Sequence, residues 1–245
     1  MSSVRQASDL GVIDFSPGAE EWVEFGPRDA RQRVGFHDYS ALYAVPGLYE
    51  RVFYDELGMR SAEQVVGLYA SALRQLGLPP GRQRALDLGA GNGLGAEELR
   101  RIGVGHIVGV DLEPQAREAA ERDRPGIYDD YVVGDFTSLS QTKLAALKPT
   151  AVLALSALGP GHAPPAVLDR AIRLLPAGGL LAFALTPTLL PGSDDPAGRA
   201  SGYPDYLLEL FSRRADELRR HEYVHRRRTD DSDDPAVAFV GRICG

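Results

Sequence analysis

Four glycines at alternate positions, Gly89, Gly91, Gly93 and Gly95, stand between two acids, Asp87 and Asp111, and a third acid follows in Gly134-Asp135-Phe136. A glycine run lets the chain turn tightly and bring its backbone against a ligand, because no Cβ stands in the way. A helix opening directly after such a turn offers unpaired N–H groups and the positive end of its dipole. An acid about 20 residues beyond the glycines, at the end of the next strand, can accept hydrogen bonds from ribose hydroxyls. Asp135 could accept from an adenine amino group, and Phe136 could pack on the ring. By its parts, the stretch from Arg84 to Asp111 is a nucleoside-cofactor site.

The identity of the nucleoside is the next question. Gly91-Asn92-Gly93-Leu94-Gly95-Ala96 fits the loose dinucleotide pattern G-x-G-x-x-G/A, so a nicotinamide oxidoreductase is one reading. Three features point elsewhere. A carboxylate at Asp87, two residues before the first glycine, would repel a pyrophosphate and suits a cationic group. The motif begins after more than eighty residues, whereas many dinucleotide domains open with it. Tyr131 to Phe136 looks like a third strand with an acid and an aromatic at its carboxyl end.

Asp87-Leu88-Gly89-Ala90-Gly91-Asn92-Gly93, Gly109-Val110-Asp111-Leu112, Gly134-Asp135-Phe136 and Leu174-Leu175-Pro176-Ala177-Gly178-Gly179-Leu180 together resemble the class I, Rossmann-like, S-adenosylmethionine-dependent methyltransferases. The resemblance covers roughly Ser61 to Arg242 and implies S-adenosylmethionine as cofactor. It implies that the glycine loop holds the methionine part, Asp111 the ribose and Asp135 the adenine amine, with Asp87 near the methionine ammonium. The expected cofactor set is Asp87, Gly89, Ala90, Gly91, Asn92, Gly93, Asp111, Leu112, Asp135, Phe136 and Ser156.

A methylsulfonium donor is already activated, so the protein must place an acceptor in line, exclude water and, for a hydroxyl or carbon acid, remove a proton. The candidate bases are His162, His37 and Tyr39, with Tyr43 beside them. His162 leads because it follows the fourth strand, on the ligand-facing edge of the sheet. A histidine in such a loop is more often simply solvated. No Asp-Pro-Pro-Tyr-like segment follows that strand, unlike methyltransferases of nucleic-acid amines, and no acid, unlike metal-dependent catechol methyltransferases. No His/Cys/Asp cluster has zinc spacing, so no metal is expected. His221 and His225 fall among arginines in an expected strand. Arg226-Arg227-Arg228 reads as a solvated strand end neutralised by Asp230, Asp231, Asp233 and Asp234. No G-x-S-x-G supports a hydrolase.

The elements that must position these groups alternate strand and helix, which argues for a doubly wound α/β fold on a parallel sheet. Strands are expected over Ala85 to Leu88, His106 to Val110, Asp130 to Val133, Thr150 to Leu155 and Gly179 to Leu185. Two more, Glu222 to Thr229 and Ala236 to Ile243, form a closing hairpin that the resemblance makes partly antiparallel in a mainly parallel seven-stranded sheet. Helices are expected over Ser61 to Leu76, capped by Ser61 with Glu63-Gln64, over Ala96 to Ile102, Pro114 to Glu121, Ser140 to Leu147, Pro164 to Leu175 and Tyr206 to Leu218. Thr186 to Asp205, rich in proline and glycine, reads as a long loop near the ligand edge. Residues 1–60 form an N-terminal segment with a helical cap or lid, and residues 61–245 the Rossmann-like domain. Met1 to Asp29 looks irregular, with Trp22 and Phe25 giving Glu20 to Gly26 something to pack. His37 to Leu57 reads as two short helices broken at Pro46-Gly47. Their aromatics serve as packing residues, as a lid over the cofactor, or as both.

At 245 residues the chain can bury a sizeable core. A net charge of −7 disfavours nucleic acid as the main partner. The single cysteine, Cys244, permits no intrachain disulfide and fits a reducing cytoplasm. No secretory signal and no bilayer-length apolar run is visible. The expectation is therefore a cytoplasmic methyltransferase, monomer or homodimer, acting on a small molecule at O or N, or at C. The rivals are an NAD(P)-dependent oxidoreductase and a methyltransferase-fold protein that binds the cofactor without methyl transfer.

Overall fold

The structure is a computed structural model and describes residues 10–16 and 21–245. The chain begins with a small antiparallel sheet, β1 (Asp14–Phe15), β2 (Trp22–Phe25) and β3 (Gln32–Gly35). This corrects the irregular reading of the first 29 residues, although 1–9 and 17–20, including Glu20, lie outside the described residues. The period-two signal is short but present: Val23 and Phe25 point inward, while Trp22 and Glu24 face out. Arg33 across the strand covers the Trp22 ring at 4.0 Å and pairs with Glu24 at 2.6 Å.

Helix α1 (Tyr39–Ala44) follows, with Asp38 accepting from the Ala41 N–H as its cap. After the break at Pro46-Gly47, α2 (Leu48–Glu50) widens into a π-helix over Arg51–Glu56. Leu10, Val23, Phe25, Phe36, Leu42 and Phe53 belong to a core separate from the two that flank the main sheet. The cap is therefore a sheet with helices rather than helices alone.

The main unit runs α3 (Ser61–Leu76), β4 (Arg84–Leu88), α4 (Leu94–Arg101), β5 (His106–Asp111), α5 (Pro114–Asp123) and β6 (Asp130–Val133). It continues with α6 (Gln141–Leu147), β7 (Ala151–Ala154), α7 (Pro165–Ile172) and β8 (Leu180–Leu185). It ends with α8 (Pro196–Ala200), α9 (Tyr203–Arg213), β9 (Ala215–Arg227) and β10 (Asp233–Ile243). The seven strands lie in the order β6-β5-β4-β7-β8-β10-β9. All neighbours are parallel except β10, which runs antiparallel to β8 and β9. The doubly wound, mainly parallel seven-stranded expectation is met.

Apolar runs such as Leu180–Leu185 are buried on both sides, as strands covered by helices on each face require. On one face α6, α7 and α9 bury Leu144, Leu168, Ile172, Tyr203 and Leu210. On the other, α3 and α4 bury Val65, Val66, Tyr69, Leu73 and Leu99. Because β4 pairs with β5 on one side and β7 on the other, the helices after β4 and β7 leave to opposite faces. The carboxyl ends of these strands therefore open a crevice.

Four local expectations change. Ser61 does not cap α3; its Oγ is held 2.6 Å from Tyr223 Oη and 2.6 Å from His225 Nδ1. The stretch from Thr186 carries a 3₁₀ turn over Pro187–Leu189 and α8, whose first turn Asp195 caps through the Gly198 N–H. Helix α9 stops at Arg213, so Ala215 to Leu218 is strand. Pro235 sits within β10 at a register shift between Asp234 and Pro235, where a missing N–H is tolerated.

Candidate functional site

The glycine turn leaves β4 with Gly89 at φ 67°, Gly91 at φ 54° and Gly93 at φ 91°. These left-handed values favour glycine, and at Gly89 a Cβ would in addition collide with Ala157 in the loop after β7. The turn is pinned to the neighbouring strand. Gly91 N–H donates to Asp111 Oδ2 at 2.9 Å, and Glu113 N–H donates to Asp111 Oδ1 at 3.0 Å. Burial raises the Asp111 pKa, opposed by these backbone donors.

Asp87 lies beneath the turn, 2% exposed, with Tyr128 Oη 3.0 Å from its Oδ2. Burial pushes its carboxyl up to about 7; the Tyr128 hydrogen bond opposes this and the Asp111 charge adds to it. Such a group retains its charge readily only when a cation arrives beside it.

Two adjoining cavities open at the carboxyl ends of the strands. The outer one, about 390 Å³, is walled by Leu88, Gly89, Asp111, Leu112, Gly134, Asp135, Phe136 and Ser156. Leu112 is 64% exposed here and presents an apolar surface of the kind an adenine face covers. Asp135 is exposed, and hydrogen bonds from the Thr137 side chain and N–H hold its pKa below the usual carboxylate range. It stays ionised and able to accept. Phe136 belongs to the buried core beneath the cavity while also lining it.

Asp87, Ala90, Gly91, Asn92 and Gly93 do not line this cavity, because the cap and the tyrosines around the turn cover them. Tyr43 Oη stands 2.5 Å from where a Gly91 Cβ would lie. Tyr131 donates to the Gly91 carbonyl at 2.8 Å, and Tyr128 Oη lies 2.9 Å from that of Ala90. Asn92 Nδ2 donates to Glu50 Oε1 at 2.9 Å, and Arg124 pairs with the same oxygen at 2.7 Å. Asp111, Leu112, Asp135 and Phe136 therefore fit the adenosine part of S-adenosylmethionine as they stand. The turn fits the methionine part once Tyr43 withdraws.

The inner cavity, about 240 Å³, lies toward β8, β9 and β10 and is walled in part by Phe36, Phe53, Met59, Leu185, Thr186 and Ala236. His37, Tyr39, Tyr49, Ser156 and His162 line both cavities. The three residues expected as bases thus meet at one junction, with His162 ring centroids 5.3 Å from His37 and 5.8 Å from Tyr39. Burial, with His37 beside it, holds His162 below the usual histidine pKa, so it is neutral at pH 7 and able to take a proton. Burial raises Tyr39 and Tyr43 above the usual phenol range, which keeps both protonated.

Three residues were not legible in the sequence: Glu50, which holds Asn92 of the turn, and His225 and Arg226 on the inner wall. Glu50 lies in α2 and is nearly fully buried, a position that no periodicity in so short a helix announces. His225 lines the inner cavity, and its hydrogen bond from or to Ser61 continues to Tyr223. Burial lowers it to about 4. Arg226 is no solvated strand end: its side chain is 11% exposed and pairs with Glu21 at 2.6 Å. The register shift between Asp234 and Pro235 leaves His225 without a partner in β10, so His225 and Arg226, adjacent in sequence, both line the cavity, which no period-two pattern announces. Among the described residues no cluster suited to a metal ion occurs.

Residues 86–183 match the model of a methyltransferase domain family. A ribosomal protein L11 methyltransferase of Burkholderia thailandensis is 37% identical over 88 residues. That alignment covers 32% of this chain and spans 29% of the length of the relative. Among solved structures, N-methyltransferase NodS from Bradyrhizobium japonicum, in complex with S-adenosyl-L-homocysteine, superposes with a TM-score of 0.54 at 14% identity, covering 85% of this chain and 97% of its own. A putative RNA methyltransferase from Pyrococcus horikoshii gives 0.54 at 15% identity over 84% and 87%. A putative sarcosine dimethylglycine methyltransferase from Galdieria sulphuraria gives 0.52 at 16% identity over 74% and 85%. At these identities the likeness of the three is one of fold. The matched methyltransferase domain runs from β4 to β8, and the strand order, closing on an antiparallel β10, is that of a Rossmann-like methyltransferase fold.

Proposed function

We propose that the protein transfers the methyl group of S-adenosylmethionine to a small-molecule acceptor, at O or N or at C, with the cofactor in the outer cavity and the acceptor in the inner one. The observation that carries this reading is the shared wall: His37, Tyr39, Tyr49, Ser156 and His162 face both cavities at once. The cofactor, when bound, supplies a methyl group on a sulfonium centre. The cofactor residues are those read from the sequence: Asp111 orients the ribose, Asp135 accepts from the adenine amine, Leu112 and Phe136 bound the ring, and Ser156 lines the junction. Asp87 and the turn from Gly89 to Gly93 take the methionine end, where the buried carboxylate answers an ammonium.

His162 Nδ1 or Nε2 takes the proton released by the acceptor, and His37 and Tyr39 border the same space. Residues 1–60 act as a lid over the domain at 61–245, because α1 packs on α5 and Tyr43 stands over Gly91. Closing that lid excludes water from the junction. The reading includes a cytoplasmic protein, monomer or homodimer, with neither nucleic acid nor membrane as partner. The net charge of −7 supports the first exclusion. No helix among the described residues is long and apolar enough to cross a membrane.

The test is incubation with methyl-labelled S-adenosylmethionine and fractionated cell extract. Label is expected in the small-molecule fraction, as a methyl-sized mass gain. Label confined to ribosomal protein or RNA would overturn the acceptor class.

A further inference from the structure

The charged side chains on the wall of the inner cavity are already engaged with one another. Besides histidines they are Glu21, Arg226 and Asp234 among the described residues. Arg226 donates from Nη1 to Glu21 Oε1 at 2.9 Å and from Nη2 to Glu21 Oε2 at 2.6 Å, a two-pronged pair that uses both carboxylate oxygens. Its Nε lies 3.7 Å from Asp234 Oδ2, and Arg228 takes the other Asp234 oxygen at 2.7 Å. The guanidinium also lies 5.5 Å from the centre of the Phe36 ring. Side-chain exposures of 19%, 11% and 15% for Glu21, Arg226 and Asp234 place this cluster largely out of solvent.

An incoming ammonium or carboxylate would have to break this cluster, leaving one of its members buried without a partner, or remain unpaired itself. Either course is costly in a dry site. The rest of the polar and aromatic wall is neutral: the hydroxyls of Ser156, of Ser61 (hydrogen-bonded to Tyr223 and His225) and of Thr186 (hydrogen-bonded to Thr188), the phenols of Tyr39 and Tyr49, and the rings of Phe36 and Phe53. His162 and His225 are kept neutral by burial. Aromatic walls favour a flat partner that can stack or meet them edge-on.

We infer that the acceptor is an uncharged, ring-bearing hydroxyl compound whose hydroxyl lies at the junction beside His162. This rests on the methyl-transfer reading above and narrows it to an oxygen acceptor. The oxygen–methyl bond forms as the methyl–sulfur bond of the sulfonium breaks, the electron pair of that bond stays on sulfur, and the hydroxyl proton passes to His162.

The inference is tested by calorimetric titration of the full chain loaded with S-adenosyl-L-homocysteine. The probes are three para-substituted phenols of similar size: 4-ethylphenol, which is neutral, tyramine, which is cationic, and 4-hydroxyphenylacetate, which is anionic. The neutral probe is expected to bind about tenfold or more tightly than either charged one, the factor that corresponds to ~1.4 kcal/mol. Equal or tighter binding of a charged probe, or no binding of the neutral one, overturns it. Glu21→Gln frees Arg226 from its carboxylate, so 4-hydroxyphenylacetate should gain about tenfold relative to 4-ethylphenol. Asp234→Asn, which relieves Arg226 and Arg228 from the other side, serves where melting shows Glu21→Gln unfolded, and an unchanged ratio in a folded variant refutes the pairing argument. A folded protein that binds no S-adenosyl-L-homocysteine refutes the methyltransferase reading and this inference with it. One that binds it but prefers a charged probe refutes this inference alone.

Discussion

Asp87→Asn isolates the free-energy cost of keeping a carboxylate beneath the glycine turn. In the folded protein this carboxyl titrates at about 7 rather than 3.8, because burial disfavours the charged form. Between those values the folded state holds a proton that the unfolded chain has lost, so stability falls as pH rises through the window. The gap is about three pH units, each worth ~1.4 kcal/mol, which makes the full cost ~4 kcal/mol at pH 8 and ~1.5 kcal/mol at pH 5. Asparagine has the same size, carries no charge and still offers an oxygen to Tyr128. The variant should therefore exceed the parent in stability by ~4 kcal/mol at pH 8, with the advantage falling to ~1.5 kcal/mol at pH 5. Urea unfolding followed by circular dichroism, at both pH values and without cofactor, reads this difference. The same variant should bind S-adenosylmethionine more weakly, because asparagine offers no charge to the methionine ammonium proposed to lie there. An advantage equal at pH 5 and pH 8, or a loss at pH 8, would refute the reasoning.

Three further outcomes are expected. Asp111→Ala should weaken S-adenosyl-L-homocysteine binding by ~1–3 kcal/mol through loss of the ribose hydrogen bonds, and unchanged affinity in calorimetry would remove Asp111 from the site. Glu50→Gln should cost ~3 kcal/mol in urea unfolding, near the lower end for breaking a buried pair, because Arg124 keeps Glu97 at 2.7 Å; a change under ~0.5 kcal/mol would show that the cap is not held there. Because burial places the His162 pKa below 6.5, turnover of the labelled acceptor should fall as pH drops through that lower value and His162 gains its proton. His162→Gln should slow turnover and lose this acid limb while binding cofactor normally, and a profile identical to the parent's would count against the role.

The glycine turn and the strands that flank it were legible because their signals are local. Leu86 and Leu88 around Asp87, and Val108 and Val110 before Asp111, read as buried parallel strands. The glycines between them demand a backbone few other residues adopt. The inner cavity was not, because its wall is assembled from segments far apart in the chain. Glu21 meets Arg226 across 205 positions, and Ser61 meets His225 across 164. Ser61 looked like a helix cap because its type and its place before Glu63 fit one, yet its hydroxyl serves the neighbouring strand. Ala215 to Leu218 carries good helix formers, but pairing of Ala215, Asp216 and Glu217 with β10 overrode that propensity. The small N-terminal sheet was missed because four-residue strands leave almost no period to read.

The central claim is that this chain binds S-adenosylmethionine at the glycine turn and the two acids. Parallel calorimetric titrations with S-adenosylmethionine, S-adenosyl-L-homocysteine and NADH test it most directly. Saturable binding of the first two and none of NADH is expected. Binding of NADH alone would contradict it and would mean that a pyrophosphate is tolerated over Asp87.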